Sequence, residues 1–136
     1  MNDSTMQLQT VSNSADLLGT PDQVWGLIGP FGCMWHPLVA KIELAGEGVG
    51  QVRTIDTIDG NQIIERLEAI DDAQRFYRYA MISGIPATDY SGTLEVKAKG
   101  NGSSVEWLVQ YRPAGAPALA INTGLERLQT RFGVPQ

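Results

Sequence analysis

Glu65 is the residue of this sequence best placed to carry out proton chemistry, because it interrupts a run of alternating apolar residues. Successive side chains of a β-strand point to opposite faces. In a strand predicted over residues 63–70, the charged Arg66 and Glu68 suit the solvent face. The other face then carries Ile63, Glu65, Leu67 and Ala69. Burying a carboxylate is costly unless it is paired or hydrogen-bonded, so we expect Glu65 to have a partner in the folded chain.

Tyrosine hydroxyls are expected beside this carboxylate. Glu95 and Lys97 suit the solvent face of a strand predicted over residues 90–97, so Tyr90 points inward. A strand over residues 75–82 has one bulkier face, which is the expected lining. The inner set of these two strands is Tyr77, Tyr79, Met81, Tyr90, Gly92, Leu94 and Val96. A tyrosine hydroxyl can donate to a carboxylate or to a developing enolate oxygen.

His36 and Cys33 are the only histidine and cysteine of the chain. An imidazole suits proton transfer at neutral pH, but a packing role in which the ring bonds a backbone carbonyl is favoured over ligand contact, and ligand contact over catalysis. Cys33 is expected as a small buried hydrophobe. One histidine and one cysteine do not make a zinc site, and no glycine-rich nucleotide motif is present. We therefore predict no metal and no cofactor.

The first elements to position these residues are a short strand and two short helices. Thr20 can cap a helix with Pro21 at its first position and Gln23 completing a capping box. Pro30 ends that helix. Residues 31–37 are expected to form a second short helical or irregular piece.

A change of period to two then predicts six strands, and the chain closes with a long helix. With the first strand, the predicted strands are 8–11, 41–45, 51–58, 63–70, 75–82, 90–97 and 105–111. One apolar stripe predicts the helix, formed by Ala118, Ile121, Leu125, Leu128 and Phe132. Consecutive hairpins mean an antiparallel sheet, so the class is α+β.

Length and composition favour one globular domain over residues 1–136, with 43% hydrophobic and 18% charged residues. The formal net charge is -5 and the basic residues are scattered. Nucleic acids and anionic membrane surfaces require clustered basic residues, so we expect neither partner. A single cysteine, no signal-like N-terminus and no apolar stretch long enough to span a bilayer favour a reducing cytoplasm.

Four segments carry a resemblance to a known family. They are Thr20-Pro21-Asp22-Gln23-Val24-Trp25, Trp35-His36-Pro37, Gly46-Glu47-Gly48-Val49-Gly50, and Glu65-Arg66-Leu67-Glu68 followed by Asp71-Asp72. Together with the element order they resemble the START / Bet v 1-like (SRPBCC, helix-grip) superfamily, particularly its bacterial polyketide cyclase/dehydrase-like branch. The last segment is also similar to plant abscisic acid receptors. The resemblance implies a curved sheet of seven antiparallel strands wrapped around the C-terminal helix, with two short helices after the first strand.

The resemblance also decides two strand faces. Periodicity leaves both faces of residues 51–58 open, and the resemblance places Arg53 inward, with Ile55. In the last strand, simple patterning would bury Val105, Trp107, Val109 and Tyr111. The resemblance instead turns Glu106 inward with Leu108 and Gln110, and we follow it here. Trp107 would then lie on the outer face, where an exposed aromatic patch could serve a homodimer.

This superfamily contains cyclases, lyases, lipid carriers and hormone receptors, so the fold alone does not fix a function. The function predicted is binding of a small, partly apolar molecule, aromatic or polyketide-like, in an internal cavity. The expected ligand-binding residues are Arg53, Ile55, Glu65, Tyr79, Met81, Tyr90, Glu106, Leu108 and Ile121.

Three alternatives remain open from the sequence. One is a cofactor-independent cyclase or dehydratase, whose acid and base groups would come from Glu65, Glu106, Tyr90 and His36. Another is a purely structural ion-pair network. The third is a protein partner on the outer face of the sheet.

Overall fold

An antiparallel sheet of seven strands organises the chain. The computed structural model describes residues 7–84, 88–112 and 117–135, with residues 117–120 described by their backbone alone. In chain order, the elements are β1 (Gln9–Leu17), α1 (Pro21–Ile28), β2 (Val39–Ala45), β3 (Val52–Thr57), β4 (Gln62–Asp71), β5 (Phe76–Ser83), β6 (Thr88–Lys99), β7 (Gly102–Arg112) and α2 (Pro117–Phe132). The sheet order is β1-β7-β6-β5-β4-β3-β2. The α+β class and the curved sheet with a C-terminal helix are confirmed.

One helix, not two, follows the first strand. Thr20 caps α1 through a complete capping box, with Pro21 at the first turn. The second predicted helix does not form. Pro30 has no N–H to donate. The backbone N–H of Cys33 donates to the carbonyl of Pro30 over 3.1 Å, which closes a turn and not a helix. The irregular segment 31–38 is instead anchored by burial of Phe31 and Trp35.

The long helix α2 packs on the inner face of the sheet, in contact with β1 and β7. Ile121, Leu125 and Leu128 of the predicted stripe are buried, while the side chain of Ala118 lies outside the described residues. A Cβ on Gly124 would come within 2.7 Å of the Trp107 ring, so the small residue lets the helix approach the sheet. No helix in the described ranges is both long and apolar enough to cross a membrane.

The last strand faces the opposite way from the orientation we took from the resemblance. Val105, Trp107, Val109 and Tyr111 of β7 are all buried. Glu106 is exposed, and Leu108 lies on the same outer side, half-buried. Each large apolar side chain buried contributes about 1.5–3 kcal/mol, whereas a buried carboxylate costs free energy. The inward placement of Glu106 and Leu108 is therefore wrong, and so is an exposed Trp107 patch for a homodimer.

Candidate functional site

A buried ion pair joins β3 and β4 on the inner face of the sheet. Arg53 of β3 is directly opposite Glu65 of β4 in the antiparallel register. Arg53 Nε lies 2.7 Å and Nη2 2.6 Å from Glu65 Oε1. Arg53 is 8% and Glu65 6% exposed. Charge-assisted bonds of this length between buried groups hold both side chains in a fixed geometry.

Aromatic residues and one carbonyl complete the surroundings of Arg53. Its Nη1 donates to the backbone oxygen of Phe31 over 3.0 Å, and Cζ lies 3.9 Å from the centroid of the Phe31 ring and 5.3 Å from that of Tyr79. Such positions attract a cation to the ring face. Burial alone would lower the pKa of Arg53, yet the charge and hydrogen bond of Glu65, with the neighbouring tyrosines, raise it above its usual value. Arg53 is a permanent cation.

The second oxygen of Glu65 is the unused acceptor of this site. Both contacts with Arg53 end on Oε1, and the described residues provide no hydrogen bond to Oε2. No fully buried side-chain nitrogen or oxygen in the described ranges lacks a hydrogen bond. Because Oε2 has no such partner, it is not fully buried. It can therefore accept a hydrogen bond from a molecule beside it.

A row of tyrosines crosses the inner face next to the ion pair. Ring centroids are 6.1 Å apart between Tyr77 and Tyr79, 6.5 Å between Tyr79 and Tyr90, and 6.2 Å between Tyr90 and Tyr111. Gly92 makes room for this row, since a Cβ there would overlap the Tyr79 ring. These spacings lie in the range of favourable aromatic pairs.

The hydroxyl groups of Tyr77, Tyr79 and Tyr90 stay protonated at neutral pH, because their pKa values are raised. Burial raises the pKa of Tyr77, Tyr79 and Tyr90, and the nearby charge of Glu65 raises all three further. Trp107 Nε1 donates to the Tyr79 hydroxyl over 3.3 Å. The inner face thus combines apolar ring surface with protonated phenols and one ion pair.

His36 belongs to a second cluster on the β7 side. Its ring centroid lies 5.6 Å from that of Trp35 and 5.9 Å from that of Trp107. Nδ1 accepts from the backbone N–H of Leu38 over 3.1 Å, which places the proton of the neutral ring on Nε2. A Cβ on Gly124 would lie 2.8 Å from Cδ2, so His36 sits under α2. Trp107 also donates to the Tyr79 hydroxyl, so this cluster borders the row of tyrosines.

The remaining predicted site residues divide between the inner and outer faces. Ile55 is buried beside Arg53 on β3, Met81 is half-buried directly opposite Glu65, and Ile121 is fully buried on α2 itself. Glu106 and Leu108 are on the outer face. No group of three or more histidine, cysteine or acidic residues within the described ranges could hold a metal ion.

Sequence reasoning missed two contributors, Phe31 and Trp107. Phe31, 22 positions away in the chain, contacts Arg53 through both its ring and its carbonyl. Local sequence periodicity does not predict a contact at that separation. For Trp107, the alternation of bulky residues in β7 was a sufficient signal.

The chain matches the family described as "Polyketide cyclase / dehydrase and lipid transport" over residues 9–133. It is similar to the solved structure of XoxI from Bacillus cereus, with 34% identity, a TM-score of 0.80 and coverage of 90% of this chain and 94% of that one. A Bacillus thuringiensis protein of uncharacterized function gives 35% identity, a TM-score of 0.80 and coverage of 91% and 98%.

A plant enzyme shares the fold at lower identity. Norcoclaurine synthase from Thalictrum flavum, in complex with dopamine and hydroxybenzaldehyde, is 18% identical, with a TM-score of 0.70 and coverage of 96% of this chain and 91% of that one. No curated protein matches the sequence with significance.

Proposed function

The chain belongs to the polyketide cyclase / dehydrase and lipid transport family, and we propose on that basis that it binds a small, partly apolar molecule on the inner face of its sheet. The observation that carries the proposal is Glu65 Oε2, an acceptor without a hydrogen bond from the described residues, next to a buried cation and a row of aromatic rings. Ligand sites in proteins typically combine such apolar walls with a few fixed polar groups.

The chemistry of the inner face defines the class of ligand. Planar apolar surface suits the rings of Tyr79 and Tyr90, which lie in one row. A ligand hydroxyl could donate to Glu65 Oε2 and accept from a protonated tyrosine. A phenol or an enol has both capacities, so we propose a hydroxylated aromatic or polyketide-like ligand, with its polar end at Glu65.

A nuclear magnetic resonance titration with hydroxynaphthalenes, compared with naphthalene itself, tests this proposal. Backbone amide shifts are expected at Glu65, Met81 and Tyr90, with tighter binding of the hydroxylated compounds. Glu65→Gln keeps the shape but removes the charge, and because its amide oxygen must face the Arg53 donors, an N–H₂ donor replaces the open acceptor. The variant should lose about ten-fold in affinity for hydroxynaphthalene, or about 1.4 kcal/mol, and should bind naphthalene unchanged.

Glu68→Gln is the matched control, since Glu68 lies on the same strand but pairs with Arg66 on the outer side. It should leave both affinities unchanged. Equal binding of naphthalene and its hydroxylated forms, or shifts confined to the outer face, would contradict the proposed site.

A cyclase- or dehydratase-type reaction is the second candidate, and the same open oxygen favours it. Glu65 Oε2 could accept a proton from a carbon next to a carbonyl, while Tyr90 donates to the developing enolate oxygen. Glu106 takes no part, because it lies on the outer face. In this case Glu65→Gln should abolish turnover while binding survives, and equal loss of both would reject catalysis.

A further inference from the structure

We propose that the edge strand β2 pairs antiparallel with β2 of a second copy of this chain, with Ile42 on the two-fold axis. β2 is the last strand of the sheet, and among the described residues it pairs with β3 alone. Five of its seven residues are exposed. An edge strand offers a row of backbone N–H and C=O groups to another strand.

The charges of β2 are self-complementary in this register. Ile42 is the central residue of the seven-residue strand, and Lys41 and Glu43 flank it. Antiparallel pairing centred on Ile42 places Lys41 opposite Glu43 of the second copy, and Glu43 opposite Lys41 of the second copy. Opposite charges facing each other across two strands stabilise the pair. A parallel, in-register pairing would instead bring like charges together.

Within one chain, the two residues already form a highly exposed contact. Lys41 Nζ lies 2.7 Å from Glu43 Oε1, and the side chains are 61% and 65% exposed. An exposed pair of this kind contributes little to the stability of one chain. Both side chains can therefore turn to the second copy at small cost to the fold.

The same register also covers an exposed apolar side chain. Leu44 is 48% exposed although its register partner on β3 is the buried Arg53. In the proposed pair Leu44 lies opposite Ala40 of the second copy, and Ile42 lies opposite its own equivalent. The register between β2 and β3 shifts between Val39 and Lys41, and a bulge of this kind bends the edge strand. The regular ladder is therefore short, and we expect a weak, reversible dimer.

Sedimentation equilibrium of the whole chain tests the proposal. The wild-type chain should dimerise with a dissociation constant below about 1 mM. Lys41→Glu or Glu43→Lys turns both cross-strand pairs into like-charge pairs, and each should raise the dissociation constant at least about ten-fold. The double swap, Lys41→Glu with Glu43→Lys, restores opposite charges and should restore dimerisation.

Mixing the two single variants separates charge pairing from loss of folding. In a pair made of one Lys41→Glu chain and one Glu43→Lys chain, every facing pair has opposite charges. An equimolar mixture should therefore form a heterodimer although each variant alone stays monomeric. Because rescue requires two folded chains, it cannot arise from a misfolded variant.

Lys97→Glu on β6 is the matched control, since Lys97 is 62% exposed and bridges Glu95 over 3.6 Å within a central strand. It should leave the dimer unchanged. Concentration-dependent amide shifts should fall on β2. A wild-type chain that remains monomeric at about 1 mM, shifts confined to another surface, or a mixture that fails to dimerise would each overturn the proposal.

Discussion

Glu65 binds Arg53 through only one of its two carboxylate oxygens. Oε1 lies 2.7 Å from Nε and 2.6 Å from Nη2, while Nη1 is held by the carbonyl of Phe31. A bidentate pair would use both carboxylate oxygens. Here each of the three guanidinium nitrogens contacts a protein oxygen, while Oε2 of the carboxylate receives no hydrogen bond from the described residues. The pair thus ties β3 to β4, and in the function we propose its open oxygen is the polar anchor of the ligand.

Glu65→Ala is expected to destabilise the protein by about 3–5 kcal/mol, because it leaves the buried Arg53 without its counter-charge. Urea unfolding followed by circular dichroism measures the loss. The double variant Arg53→Met with Glu65→Leu removes both charges and should be close to wild-type stability. It should nevertheless lose the preference for hydroxylated ligands.

Glu68→Ala serves as the control for this experiment, since the Arg66–Glu68 pair is on the same strand but its side chains are 46% and 34% exposed. It should cost at most about 1 kcal/mol. A cost for Glu65→Ala as small as this would show that the buried pair does not stabilise the fold in the way described.

Tyr79→Phe is expected to destabilise the protein by about 1–3 kcal/mol, because it leaves the indole N–H of Trp107 buried without its acceptor. Tyr111→Phe is the matched change, as the described residues provide no hydrogen bond to the Tyr111 hydroxyl. It should stay within about 0.5 kcal/mol of wild type. Equal effects of the two variants would contradict a specific role for the Trp107 bond.

Gly92→Ala is expected to displace the Tyr79 ring, because the added Cβ would overlap it. Forcing one carbon into a packed site costs about 1–3 kcal/mol, and the moved phenol should weaken ligand affinity as well. Gly26→Ala in α1 provides the contrast, since no atom lies within 4 Å of its added Cβ. It should stabilise the helix by about 0.5–1 kcal/mol. An unperturbed Tyr79 resonance in Gly92→Ala would be inconsistent with the described packing.

Alternation predicted the inner face of β4, β5 and β6 well, because the two-residue period follows from backbone geometry. Glu65, Tyr79 and Tyr90 are buried where alternation places them. The same reasoning favoured Trp107 over Glu106 in β7, and following the resemblance against it gave the wrong face. A shift of one residue moves every side chain of a strand to the other face, so the error changed the whole strand.

Contacts between distant segments were beyond the reach of sequence patterns. The bond from Arg53 to the Phe31 carbonyl depends on the irregular path of residues 31–38, which has no periodicity to read. The predicted second helix failed in that segment for a related reason: burial of Phe31 and Trp35 decides its path, and helix propensity is a weak determinant beside such packing.

Stability should fall steeply above about pH 10, because Tyr77, Tyr79 and Tyr90 are buried with raised pKa values. In the unfolded chain these phenols lose their protons near their ordinary pKa of 10.0, while the folded chain retains them. The unfolded state then binds fewer protons, so the contribution of these tyrosines to the free energy of unfolding is constant below that pH and decreases above it. Each tyrosine contributes a slope of about 1.4 kcal/mol per pH unit.

Urea unfolding across this range measures the slope of the free energy of unfolding against pH. Tyr79→Phe should reduce that slope by about 1.4 kcal/mol per pH unit, the contribution of one tyrosine. Tyrosinate absorbance should rise together with the loss of folded structure, and ionisation of all three tyrosines near pH 10 in a chain that is still folded would contradict their burial.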